Sequence, residues 1–409
     1  MSQLSLIHAL DGEQLMEDLE ALAKIGDPGP GVNRIAYTPA DKDGRKWIEA
    51  QMRALGMQVR TDALGSVIGL YPGAQPELAP IAMGSHTDTV PHGGKYDGAL
   101  GVIAALACVR TLRDTNTQTR HPIEIIDFAA EEASMPGATF GSRGMVGKLP
   151  SNVLQQTAWD GETVESHLRA AGLDPAAISQ AIRPRGALAA YLELHIEQGG
   201  ILEKARLPMG IVKGIVGIRR YQLTFHGYAN HAGTTPMDGR RDALVAAAPF
   251  IMAVRDVAVK RGIVGTVGTL QVFPNSANVI PARVELSVEI RALDETVLDD
   301  AEAELRGLAA QAGADVADVV RKPPVLSDPR VMNAFASVSQ ELGLPCREMA
   351  SGAGHDAMCM ADIAPEAMLF VPSVGGVSHS PDEYTRPEDC VNGARVLLGA
   401  LLKLDAELD

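Results

Sequence analysis

The side chains best suited to gripping a metal ion run from His86 to His379 in this 409-residue chain, so its fold must bring together positions far apart in sequence. They occur in five short motifs: Gly-Ser-His86-Thr-Asp88, Lys-Tyr-Asp97-Gly, Ala-Glu131-Glu132-Ala, Glu-Leu-His195-Ile-Glu197 and Val-Ser-His379-Ser. Imidazole nitrogen and carboxylate oxygen are ligands that a divalent ion such as zinc accepts, and a pair of ions needs one carboxylate to bridge them. Asp97 is the candidate bridge. His86 and Glu132, or His86 and His379, are then terminal ligands to opposite ions, and His195 completes the set. Two ions about 3.5–4 Å apart can activate a shared water and polarise a carbonyl together. Glu131 stands beside a ligand without being needed as one, which leaves it as candidate general base. An isolated His or Asp is more often a core hydrogen-bonder or a turn residue; the ordered set carries the reading.

The pattern around these residues alternates strand and helix. Residues 44–55 place Trp47, Ile48, Met52 and Leu55 at helical spacing, after Thr38-Pro39 and Asp41, which suit a helix start. Short apolar runs at Val67–Leu70, Ile81–Met83 and Ile123–Phe128 read as buried strands. Gly98–Leu112 reads as a helix that begins right after Asp97, whose carboxylate would then suit the helix N-terminus whether or not it binds metal. The His86 loop and the Glu131-Glu132 turn each follow a strand, at the carboxyl end of a sheet, where open α/β sheets build their sites.

A second region begins near Lys213. Arg219–Gly227 alternates as a half-buried strand, Asp242–Lys260 is helical, Val264–Phe273 and Arg283–Arg291 are further strands, and Thr296–Ala312 is a charged amphipathic helix. Lys322-Pro323-Pro324 reads as the return linker. Because His379 lies beyond that return, the expected organisation is a discontinuous α/β metal-binding domain, residues 1–212 and 328–409, with a mixed sheet flanked by helices. A smaller α+β domain, residues 213–327, is inserted into it.

A net charge of −15 argues against nucleic acid or an anionic membrane as partner. No basic n-region with an apolar stretch opens the chain and no run approaches a membrane span, so the expected location is the cytoplasm. Cys108, Cys346, Cys359 and Cys390 form no Cys-x-x-Cys pair and read as reduced core thiols, Cys359 included despite His355 nearby.

The segments GSHTDTVPHGGKYDGALGV, AAEEAS, LELHIEQG, NHAGTTPM, SGAGHDA and VPSVGGVSHSPDEYT resemble the amidase, hydantoinase and carbamoylase branch of the dinuclear metallopeptidase-like hydrolases, from about residue 20 to the C-terminus. The resemblance implies that His86, Asp97, Glu132, His195 and His379 hold two divalent ions (zinc, manganese, cobalt or nickel), with Asp97 as bridge, Glu131 as base and Asp88 as a carboxylate that orients His86. It implies substrate contacts from His231 and Asn278 to a carbonyl and from Arg291 to a carboxylate. Gln198, Gly354 and His355 are further candidate contacts. The plain readings of the first three are a turn cap, an Asx-turn residue and a solvated strand end. The insert of the family is a dimerisation and lid domain, which implies a homodimer with His231 serving the neighbouring subunit. The implied reaction is hydrolysis of an N-carbamoyl-L-amino acid to the L-amino acid, ammonia and carbon dioxide. Allantoate is the alternative ureido substrate, and a peptidase or N-deacylase acting on an amide, or an inactive small-molecule binding protein, are the other readings. Met135-Pro136 stands where many relatives carry Arg-Phe, and is expected to alter the pocket wall beside the base.

Overall fold

Four strands made of near-continuous apolar runs, Ile81–His86, Ile123–Phe128, Ala190–Ile196 and Glu366–Val371, are buried along their whole lengths in the computed structural model, which describes residues 2–408. Such runs belong to strands covered on both faces. In chain order the strands are β1 Gln58–Thr61, β2 Val67–Tyr71, β3 Ile81–His86, β4 Ile123–Phe128, β5 Ala190–Ile196, β6 Met209–Ile215, β7 Gly217–His226, β8 Val264–Phe273, β9 Arg283–Ala292, β10 Asp315–Lys322, β11 Val325–Leu326, β12 Cys346–Ser351 and β13 Glu366–Val371. The larger sheet has the order β1-β2-β4-β3-β5-β13-β6-β11, with β12 also paired to β6. β4, β3, β5 and β13 run parallel, while β1, β2 and β6 are antiparallel to their neighbours, so the sheet is mixed.

The chain divides into two compact units, Met1–Lys213 with Ser327–Asp409, and Gly214–Leu326. In the first, the helix Ala99–Asp114 is buried on nearly every side, and with Pro387–Glu407 it covers β5. Leu192, Leu194 and Ile196 of β5 enter that core. The alternate positions Tyr191, Glu193 and His195 therefore point to the opposite face, as the two-residue period of a strand requires. The chain leaves this unit along β6 and returns along β11, with Val325 opposite Ile215 and the Ser327 N–H donating to the Lys213 carbonyl at 3.3 Å.

The second unit is a four-stranded antiparallel sheet, β10-β7-β9-β8, with helices Ala243–Arg261 and Glu295–Gln311. Tyr221, Leu223 and Phe225 of β7 and Val284, Leu286, Val288 and Ile290 of β9 form its core with both helices. β8 is an edge strand, and its Val264 and Leu270 are exposed.

The amphipathic stretch 44–55 lies in a helix over Pro39–Ala54 that starts where Thr38-Pro39 and Asp41 suggest: Thr38 caps it by accepting the Asp41 N–H and Pro39 fits the first turn. One local expectation changes. His86 is the last residue of β3 rather than part of a loop.

Candidate metal centre

The carboxyl ends of the parallel strands converge. β3 ends on His86, β4 leads into Glu131 and Glu132, β5 carries His195 one residue from its end, and the segment after β13 carries His379. Asp97 precedes the helix Ala99–Asp114, but its carboxylate does not cap it. The N-cap position is Gly98, with no side-chain cap bond. Gly98 has φ +64, and a Cβ there would lie 2.4 Å from His86 Nε2. A glycine is needed on both counts, backbone conformation and room for the ring.

Freed from capping, the Asp97 carboxylate faces the histidines. Oδ1 lies 3.1 Å from His195 Nε2 and 3.8 Å from His86 Nε2, and Oδ2 lies 3.0 Å from His379 Nε2. Glu132 Oε1 is 3.3 Å from that same His379 nitrogen. His86, Asp97 and His195 form one group of converging ligand atoms, and Asp97, Glu132 and His379 form another. The two share Asp97. Glu131 Oε2 is 3.7 Å from His86 Nε2.

The rings are oriented from behind. His86 Nδ1 bonds the Asp88 main-chain carbonyl at 3.0 Å, and His195 Nδ1 the Ile196 carbonyl at 2.9 Å. An Nδ1–H donated to a carbonyl leaves the Nε2 lone pair facing Asp97, the arrangement of a metal-ligating imidazole. A cluster of acceptors this close must hold either protons or a cation. Burial by itself would lower the His195 pKa, but the bond to Asp97 and its charge push it up to about 9. Bonds to Asp97 and Glu132 push His379 up to about 10. Burial works to raise Asp97, yet bonds from His195 and His379 hold it well below the usual carboxylate range. The donor set fits divalent cations, which would replace those protons.

The backbone around the site is unusual. Ala130, Gln198 and His379 have positive φ of 52°, 59° and 53° without being glycine. Non-glycine residues rarely adopt this region, and such strain gathers at functional sites.

Asp88 acts differently from the expectation. Its carboxylate is 3.8 Å from His86 Nδ1, which is already bonded to the Asp88 main chain. The two carboxylate oxygens instead accept the N–H groups of Glu131 at 3.1 Å and Glu132 at 3.2 Å. Behind it lies Arg45, buried, with its guanidinium 3.8 Å from Asp88, 3.3 Å from Asp127 and 3.0 Å from Asp41. The Met135 expectation is corrected too. Its side chain is buried in a cluster with Leu64, Ala130 and Phe140, so it lines the core rather than a pocket wall. Pro136 uses its carbonyl to accept from Arg143.

Gln198 joins the centre: Nε2 donates to Asp97 Oδ2 at 2.8 Å, and Oε1 is buried with no hydrogen-bond partner among the described residues. His355 is buried, edge-on to His195 with ring centroids 4.5 Å apart, and bonded to Ser351 Oγ at 2.9 Å. Gly354 is exposed beside it.

His231 and Asn278 are neighbours in the second unit, where the Ala232 N–H donates to the Asn278 carbonyl at 2.9 Å and His231 pairs with Val279. His231 Nδ1 accepts the Gly233 N–H at 3.0 Å. Arg291 lies at the far end of β9, and its Nε donates to Glu289 at 2.7 Å. β9 starts at Arg283, just after Asn278, so Arg291 is about 26 Å further along at the usual ~3.3 Å per residue. The structure therefore does not bring Arg291 to His231 within one insert.

Sequence reasoning missed Arg45, Glu193, Asp356 and Glu383. Glu193 accepts from Ser85, Tyr191 and the Ala357 N–H, and is buried beneath the site. Its signal was a second polar side chain, two residues before His195, in a strand of mainly apolar residues.

Comparison with known proteins gives the context. The sequence matches the profile of peptidase family M20/M25/M40 over residues 82–403. It is 39% identical to the N-carbamoyl-L-amino acid amidohydrolase of Geobacillus stearothermophilus, over 97% of this chain and 99% of that protein. It is 37% identical to the allantoate amidohydrolase of Bacillus subtilis, over 94% and 96% respectively. An amidase of the hydantoinase/carbamoylase family from Burkholderia multivorans superposes with a TM-score of 0.89 at 38% identity, covering 97% of this chain and 98% of that one. With likeness along nearly its whole length, this chain belongs to peptidase family M20/M25/M40, alongside its hydantoinase/carbamoylase-type amidases.

Proposed function

We propose that this protein is a metal-dependent hydrolase of a ureido C–N bond, converting an N-carbamoyl-L-amino acid to the L-amino acid, ammonia and carbon dioxide. The observation that carries the reading is the division of Asp97, which offers one oxygen to His86 and His195 and the other to His379 beside Glu132. His86, Asp97, Glu132, His195 and His379 would hold two divalent ions of a kind that accepts nitrogen and oxygen together: zinc, manganese, cobalt or nickel. When bound, such ions lower the pKa of an attacking water and polarise the scissile carbonyl.

The remaining work falls to the protein's own groups. Without metal, burial and then the charges of Asp356, Glu132, Asp88 and Asp97 raise the Glu131 pKa well above its ordinary value, so it holds a proton; nearby cations would favour the carboxylate, the form a base needs. Glu131 accepts the proton of the attacking water and passes it to the leaving nitrogen. Asp88 holds the Glu131 main chain in place. The unpartnered Gln198 Oε1 is suited to accept a substrate N–H. Because Gly233 occupies His231 Nδ1, the neutral ring carries its proton on Nε2, as a donor to the carbonyl oxygen. Arg291 brings a planar fork suited to a carboxylate.

In this reading Gly214–Leu326 is the dimerisation and lid domain, and the site is completed by His231 of the partner subunit. The ~26 Å along β9 from Arg283, the end that follows Asn278, to Arg291 supports this, since one substrate cannot touch both ends within a single insert. Val245, Met252 and Val259 recur every seventh residue on the helix Ala243–Arg261 and are 67%, 56% and 68% exposed, an apolar stripe that supports a partner copy. Among the described residues no helix is long and apolar enough to cross a membrane.

The test is ammonia release from manganese-loaded protein given N-carbamoyl-L-amino acids and allantoate in separate reactions. Turnover of the first alone establishes the reading. Turnover of allantoate alone moves the enzyme to that ureido acid, and silence on both overturns it in favour of an amide substrate.

A further inference from the structure

We propose that Glu383 is a positioning residue that locks the loop bearing Asp97 to the loop bearing His379, so that the two halves of the metal site are assembled before any cation arrives. The inference rests on the metal-centre reading above.

Glu383 lies four residues beyond His379 and is 5% exposed. Its Oε1 accepts the N–H of Tyr96 at 2.9 Å and of Asp97 at 3.1 Å. Its Oε2 lies 2.9 Å from Ser378 Oγ, which is also 3.0 Å from Asp97 Oδ2. One carboxylate thus grips the main chain of the bridging aspartate, while the Ser378 hydroxyl, in reach of both carboxylates, donates its single proton to one of them at a time. The Glu383 N–H donates to the Ser380 carbonyl at 3.1 Å, so the gripping residue is itself tied into the turn that follows His379. The packing is tight enough to dictate a neighbour: a Cβ on Gly94 would lie 2.0 Å from Glu383 Oε1.

Neither loop is held to the other by regular secondary structure at this point. Asp97 lies just before a helix, while His379 sits at a left-handed φ in an irregular segment. A 3.0 Å separation between Asp97 Oδ2 and His379 Nε2 therefore depends on a specific tie, and Glu383 with Ser378 supplies it. Groups that orient ligands from behind typically change metal affinity or activity by about 10–100-fold when removed.

The experiment uses full-length wild type, Glu383→Ala, Glu383→Gln and Ser378→Ala, stripped with a chelator and titrated with Mn²⁺ by calorimetry, with the melting temperature of each stripped protein recorded. Glu383→Ala is expected to weaken Mn²⁺ binding by about 10–100-fold with little change in the stripped melting temperature. Glu383→Gln, which keeps an oxygen for both N–H groups, is expected to recover most of the affinity, and Ser378→Ala to show a smaller loss. Wild-type affinity in Glu383→Ala with a lowered stripped melting temperature overturns the proposal, because the residue would then only stabilise the loop. Should Glu383→Ala fail to fold, wild-type affinity in Ser378→Ala overturns it equally. A wild-type protein that binds no Mn²⁺ overturns the metal reading itself, an outcome separate from loss of the clamp.

Discussion

The carboxylate of Asp88 accepts the main-chain N–H of Glu131, a residue 43 positions away, and with its second oxygen that of Glu132. The proposed base and a proposed ligand are thus hung from one buried acid. In Asp88→Asn an amide NH₂ must face one of those N–H groups, so the turn has to shift. The expected result is a fall in kcat of about 10–100-fold with metal still bound, checked by turnover and metal analysis on the same sample. Unchanged kcat would remove Asp88 from the positioning role.

If His231 acts across subunits, two inactive variants can repair each other. Glu131→Gln and His231→Ala, each expected to be about 10²–10⁴-fold slower alone, should regain roughly a quarter of wild-type activity after mixing and subunit exchange, since half the dimers are mixed and each has one intact site. No recovery despite demonstrated exchange would place His231 in its own subunit's site.

Removing the cations should be visible in stability as well as rate. Chelation leaves Asp97, Glu131 and Glu132 crowded together with only the protons on His195 and His379 as counter-charge. Adding Mn²⁺ to stripped protein at about a hundredfold its dissociation constant should stabilise the fold by about 2.7 kcal/mol, read as a raised melting temperature, and should restore turnover. A melting temperature indifferent to metal would contradict the site.

Glu366, on β13, offers a pH test away from the centre. Burial, then the charges of Glu193 and Asp328, raise its pKa to about 8. The folded protein therefore keeps this proton up to about pH 8, whereas an unfolded chain loses it near its ordinary value of about 4.3. Stability linked to this group is full at low pH and declines as pH rises between those two values. Glu366→Gln should be neutral at pH 4 and stabilising by up to roughly 5 kcal/mol near pH 9. Thermal melts at the two pH values decide it, and an equal effect at both would refute a titrating Glu366.

Much of this was legible in the sequence. The apolar runs of β3 and β4 and the helix after Asp97 announce themselves by period and length, and the His, Asp and Glu fragments stand out because each lies at or beside the end of such an element. What stayed hidden depends on contacts between distant segments. Arg45 reads as a charged residue on an amphipathic helix, yet it is buried against Asp127 and Asp88. No local pattern reports a partner that arrives on another strand. Met135 misled for the opposite reason: nearness to the proposed base Glu131 in sequence suggested nearness to substrate, but its side chain is buried in the core with Leu64, Ala130 and Phe140. Glu383 lay within a recognised motif, and only its two N–H partners, 286 and 287 residues away, reveal what it holds.

The neighbouring crossings at Lys213 and Ser327 make the insert a detachable module. The ends left by deleting Gly214–Leu326 are already joined by a 3.3 Å hydrogen bond, so a short turn would splice them. What remained would keep the residues that face Asp97 and lose His231, Asn278 and Arg291. Such a pared-down chain would let the cluster around Asp97 be measured apart from everything the insert contributes.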